Sequence, residues 1–163
     1  MHAKNVLGKH DPRRTSIEIH GHQLRVNGRP IPIRGPDNPQ PRLLFKGYYY
    51  ENEAELQLAK LLYANHIRAL HHPRFTLHMP DGTVSVWSPD FIFLHPQLFE
   101  VSDPKRQLLI HGMELKNTSA DPGVLERRAL LVEQHNVHIQ LIFRNDLERF
   151  VATGSVGLQR FVE

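Results

Sequence analysis

Apolar and polar residues change their period several times along this chain, and each change marks a predicted element. In "YYYENEAELQLAKLLYANHI" Leu58, Ala59, Leu62 and Tyr63 recur at helical spacing, which predicts a helix over 52–65. "RALHHPRFTLHM" then reads as extended chain, and Pro80-Asp81-Gly82 as a turn. "TVSVWSPDFIFL" is predicted to return as an antiparallel strand kinked at Pro89, followed by a polar loop, "HPQLFEVSDPKR". "QLLIHGMELKN" is the next strand. "ADPGVLERRALLVEQHN" is a helix with Asp121 as N-cap and Pro122 at the first helical position. "VHIQLIF" is a strand, and "RNDLERFVATG" a last helix, capped by Asn145 or Asp146 and ended by Gly154.

Before residue 50 the pattern differs. Residues 1–14 are polar and basic and are expected to form a loose arm. Residues 15–33 alternate apolar and polar side chains, broken by Gly21 and by "NGRP", which predicts two or three short strands in a hairpin or meander. "RGPDNPQPR" is a proline-rich loop. The chain thus divides into an arm with short strands, 1–45, and a main unit, 46–163. In the main unit the order helix, three strands, helix, strand, helix predicts an α/β fold with a central mixed sheet. The strands at 108–116 and 137–143, joined by a helix, would pair in parallel.

Composition narrows the function classes. The 163 residues suit one domain, and 40% hydrophobic content suffices for a packed core. No apolar run approaches the roughly 18 residues of a membrane span, and the N-terminus lacks a signal-peptide core, so a cytoplasmic protein is expected. The absence of cysteine excludes disulfides, thiolate zinc sites and cysteine nucleophiles. A net charge of +3 and a pI near 9.4 permit a polyanionic partner without requiring one.

The candidate chemistry centres on "IHGMELKN". In a strand Glu114 and Lys116 share one face, about 6.6 Å apart, while Met113 and Leu115 face the other way. Alone, the pair reads as a surface ion pair. Asp103 and Lys105 have the same spacing, but Pro104 and polar flanks argue against a strand there. Of the three Pro-Asp steps, only Asp90 opens a strongly apolar strand; Asp37 and Asp81 lie in a loop and a turn. On the first helix Glu55 is in register with Leu58, Ala59 and Leu62, Glu51 shares roughly that face, and Glu53 points to solvent. His20 and His22, and His71 and His72, lack the spacing of a zinc site and read as ordinary histidines; Trp87 reads as core.

Helical acid, then Pro-Asp before a strand, then Glu-x-Lys on the next strand, in an α/β chain, resembles the PD-(D/E)XK nuclease superfamily over residues 50–145. The run from Glu55 through "SPDFIF" is most similar to the transposase endonuclease-subunit branch, with junction resolvases alike in core; the first 45 residues match no pattern of that family. The resemblance implies a restriction-endonuclease-like α/β/α core and Mg²⁺-dependent hydrolysis of DNA phosphodiesters, with Mn²⁺ able to substitute. It implies Asp90, Glu114 and the Leu115 carbonyl as metal ligands, Lys116 as the catalytic lysine, and Glu55 as a supporting acid that could hold a second metal. DNA is the implied partner, with a homodimer or a target-selecting protein. Lys105, Arg106, Asn117, Thr118, Ser119, Arg127 and Arg128 are candidate phosphate contacts from their places beside the site. Two other readings are a non-catalytic DNA-binding or assembly module on the same fold, and an unrelated α/β protein-interaction domain.

Overall fold

Alternation along one long strand sorts the core into two halves. In the computed structural model, which describes residues 8–102, 105–117 and 121–162, the strand Phe91–Ser102 (β9) sends Phe91 and Phe93 to one face and Ile92 to the other. Phe91 and Phe93 meet Leu58 and Leu62 of the helix Glu53–Ala64 (α1) and Leu147 and Phe150 of the helix Arg144–Thr153 (α3). Ile92 meets Val124 and Leu131 of the helix Pro122–His135 (α2). Each such fully buried side chain contributes about 1.5–3 kcal/mol relative to exposure.

The central sheet has five strands and is mixed. Lys105–Leu115 (β10) runs antiparallel to β9 and parallel to Ile139–Ile142 (β11), to which it is joined through α2. Ala69–His71 (β6) pairs with the first part of β9, and Leu158–Arg160 (β12) with its second part. The strands Phe75–His78 (β7) and Val84–Trp87 (β8) form a separate hairpin. Ile17–His20 (β1), Gln23–Val26 (β2) and Arg29–Ile31 (β3) form the expected meander. Its buried Ile19, Leu24, Val26 and Ile31 join the α2 side of the core. Leu44–Phe45 (β4) and Tyr48–Tyr49 (β5) make a small hairpin before α1. No helix among the described residues is long and apolar enough to cross a membrane.

Several expectations are corrected. The polar loop expected after "FIFL" is the second half of β9, because Leu98 and Phe99 are buried and β10 and β12 pair on both sides. Pro96, which has no amide to donate, falls where the β9–β10 register breaks. The single strand expected through Pro89 is two strands of different sheets, β8 and β9. Tyr63 faces solvent, with the Lys46 ammonium 4.6 Å from its ring centre. Asn145 and Asp146 lie inside α3 rather than capping it; Asp146 Oδ2 instead accepts the Phe143 amide at 2.9 Å. Asp121 caps α2 and Gly154 ends α3 as expected.

The described part of the N-terminal arm is docked, not loose: Asp11 and Pro12 are buried. The cause is a fully buried histidine. His111 Nε2 lies 2.8 Å from the Pro12 carbonyl oxygen, and its Nδ1 accepts the His138 amide at 2.9 Å. Only a neutral ring with its proton on Nε2 satisfies both neighbours. Burial lowers the pKa of His111 to about 3 and that of His138 to about 4. Between these values and the unfolded value of about 6.5, the unfolded chain binds protons that the folded chain refuses. Their stabilisation is therefore complete above about pH 6.5 and is lost as pH falls toward 4. His111→Gln keeps a donor and an acceptor but does not titrate. Its unfolding free energy should fall less steeply than the wild type's over that window, by up to about 1.4 kcal/mol per pH unit, and its thermal midpoint should drop less accordingly. Parallel slopes in a melting series would contradict this.

Candidate active site

The mouth of β9 and the end of β10 lie side by side because one residue between them has no side chain. A Cβ on Gly112 would collide with the Phe91 carbonyl oxygen and with Ile139 Cδ1. His111 stands opposite residues 93–96 of β9, and pairing resumes at Gly112 with Ile92. Beyond that point the two strands exchange side-chain bonds. The Asp90 amide donates to Glu114 Oε1 at 3.1 Å, and the Leu115 amide donates to Asp90 Oδ2 at 2.7 Å. Each carboxylate is thus fixed by the other strand's backbone.

Burial raises the Asp90 pKa well above the usual carboxylate range; the negative charges of Glu114 and Glu55 raise it further. Lys116 supplies nearby positive charge, its Nζ 3.6 Å from Glu114 Oε2, and its own amide donates to the Ile142 carbonyl at 2.8 Å. Glu55 is buried at the start of α1. The Asn52 side chain caps this helix by accepting the Glu55 amide at 2.9 Å, and its Nδ2 lies 3.5 Å from Glu55 Oε2. Glu55, Asp90, Glu114, Leu115, Lys116 and Asn117 line one cleft of about 910 Å³. Glu53 is exposed, as expected, and pairs with Arg42 at 2.6 Å. Two converging carboxylates, with Asp90 pushed toward its protonated form, are short of positive charge, and such a hard oxygen donor set fits a divalent cation.

The other candidates scatter. Lys105 and Arg106 begin β10, roughly 30 Å along the strand from Glu114 at about 3.3 Å per residue, and Lys105 pairs with Glu100 at 3.5 Å. Neither sits in a loop beside the cleft. Arg128 is committed to the fold, its Nε donating to the Ile139 carbonyl at 2.6 Å, and Arg127 also stays off the cleft wall. Thr118 and Ser119 lie outside the described residues.

Sequence reasoning missed three participants. Arg144 lines the cleft from the first turn of α3, and its amide donates to the Asn117 carbonyl at 3.2 Å. Asn52 was legible, since an N-cap three residues before Glu55 is a capping pattern. His72, set aside as an ordinary histidine, is buried between β6 and β7. Its amide donates to the Asp90 carbonyl at 3.1 Å, and its Nε2 is 3.0 Å from Glu55 Oε1. His71, its neighbour, is held to a pKa of about 4 by burial and the adjacent His72 and His22.

No family model matches the chain, and neither a curated protein nor a solved structure is found similar to it.

Gly112→Ala should push β9 from β10, cost about 1–3 kcal/mol of stability in denaturant unfolding, and separate Asp90 from Glu114; wild-type stability would contradict the close approach. Asp90→Asn keeps an acceptor for the Leu115 amide and removes a charge that the folded state disfavours. In EDTA at pH 8 its melting temperature should exceed the wild type's, and the advantage should vanish as pH falls to about 4, where the unfolded carboxyl also protonates. Mg²⁺ should raise the wild-type midpoint and leave the variant's unmoved. A lower midpoint for Asp90→Asn in EDTA would contradict the charge argument.

Proposed function

We propose that this chain is a Mg²⁺-dependent endonuclease that hydrolyses DNA phosphodiester bonds, built on a restriction-endonuclease-like α/β/α core of the PD-(D/E)XK type. The observation that carries this reading is the convergence of Asp90, Glu114, Lys116 and Glu55 on one cleft. The first two are locked side by side across β9 and β10. Helices on both faces of a mixed sheet, with a parallel β10–α2–β11 crossover, also support it.

Bound Mg²⁺ would activate water and neutralise charge at phosphorus and on the leaving oxygen; Mn²⁺ would substitute. Asp90 and Glu114 would hold it, each having one carboxylate oxygen not used by the amide of the other strand. The Leu115 carbonyl is the further ligand in this reading. Lys116 sits at the same place as a fixed positive charge, where it can orient the attacking water and stabilise the transition state's added negative charge. Glu55, behind Asp90, is the supporting acid. Asn117 and Arg144 on the cleft wall supply a hydrogen-bonding group and a cation for the phosphate backbone. One such domain cuts one strand, so a double-strand break calls for a second copy or a target-selecting partner.

The rival reading gives both carboxylates a purely structural task, since each accepts a backbone amide across the strands. Incubation with supercoiled plasmid in Mg²⁺, Mn²⁺ or EDTA separates the two. The wild type should nick only with metal. Lys116→Ala and Asp90→Ala should fold, by circular dichroism, and lose at least about 10²-fold in rate. Full activity in either variant, or a wild type that leaves plasmid intact with both metals, would overturn the assignment.

A further inference from the structure

Beside the cleft, on the far side of Glu55, lies a second group of ligating atoms. Glu51, Glu55 and His72 each bring one such atom within 4.8 Å of the others. His72 Nε2 is 3.0 Å from Glu55 Oε1 and 3.9 Å from Glu51 Oε1. The His72 side chain is only 5% exposed, yet neither ring nitrogen has a hydrogen-bond partner among the described residues. At 3.0 Å the Glu55 contact is close enough for a hydrogen bond but out of line for one. Buried ring nitrogens in native proteins are normally satisfied, so this ring calls for a partner. Donors that share one ion at about 2.0–2.2 Å each stand about 3–4 Å apart, and the two histidine–carboxylate separations fall in that range.

The backbone aims the ring. His72 directly follows β6 with φ 54, in the left-handed region that histidine enters more readily than most residues. This turn breaks the chain between β6 and β7 and directs the imidazole toward the start of α1. Glu51 is exposed, which leaves an entry path from solvent.

We propose that Glu51, Glu55 and His72 form a second cation site, selective for a first-row transition-metal dication over Mg²⁺. The selectivity follows from the donors. Imidazole nitrogen suits transition metals, whereas Mg²⁺ favours oxygen and keeps most of its waters. An ion here joins the first turn of α1 to the end of β6. It also fixes His72, whose amide holds the Asp90 carbonyl. The site is therefore a positioning site for Asp90, and it stands whether or not the cleft hydrolyses DNA.

The test uses the full chain, Mn²⁺ as probe and no nucleic acid. Calorimetric titration should give two Mn²⁺ per chain, and pulsed electron paramagnetic resonance should show nitrogen coupling from one of them. Excess Mg²⁺ should displace the uncoupled ion and leave the nitrogen-coupled one. His72→Gln, with an unchanged circular dichroism spectrum, should bind a single Mn²⁺ without nitrogen coupling. Glu51→Gln, at an exposed position that the fold does not need, should weaken the coupled ion at least tenfold and leave the other alone. A wild type whose bound Mn²⁺ shows no nitrogen coupling, or that loses the coupled ion to Mg²⁺, would overturn the proposal. So would coupling that survives in His72→Gln. A single bound Mn²⁺ that is nitrogen-coupled would uphold it and count against the cleft's own ion. Because nothing is cleaved in this experiment, an inactive nuclease cleft leaves its outcome untouched.

Discussion

The fold and its chemistry meet in one reciprocal contact. Asp90 and Glu114 each use a carboxylate oxygen to accept an amide from the neighbouring strand. The contact exists only because Gly112 lets the Phe91 carbonyl come closer than any side chain would permit. A carboxylate that accepts an amide is held without needing a cationic partner, so two acids can sit together at the end of a sheet. The cost is electrostatic. Burial and mutual repulsion push Asp90 toward its protonated form. A site in that condition gains from any divalent cation that enters it.

The surrounding elements work toward the same end. The two-sided core holds β9 between α1 and α3 on one side and α2 with the N-terminal meander on the other. The Asn52 cap starts α1 where Glu55 faces inward. His72 ties β6 to Asp90 through its amide. His111 anchors the N-terminal arm at the very bulge that precedes Gly112. The arm is thus coupled to the strand that carries Glu114.

Much of this was legible in the sequence, and the failures have physical causes. The helices, the parallel β10–β11 pair and the inward face of Glu55 followed from period and capping, which are local properties. The second half of β9 did not, because "HPQLFEV" owes its strand to neighbours on both edges rather than to its own alternation. Asp90, Glu114 and Lys116 were identifiable as neighbours because strand geometry and element order bring them together. The phosphate-contact candidates failed where nearness in sequence was taken for nearness in space: Lys105 and Glu114 share one strand but sit at opposite ends of it. His72 was invisible because its partners come from the start of α1 and the residue before its cap, and no spacing rule links Glu51 and Glu55 to a histidine beyond β6.

Crystals grown with a short DNA duplex and soaked in Mn²⁺ offer the most direct view of the cleft. Anomalous scattering should place an ion about 2.1 Å from a carboxylate oxygen of both Asp90 and Glu114, against a DNA phosphate and beside the Lys116 ammonium. A cleft without an anomalous peak at saturating Mn²⁺, or DNA ordered elsewhere on the protein, would contradict a metal-dependent nuclease built on these two carboxylates.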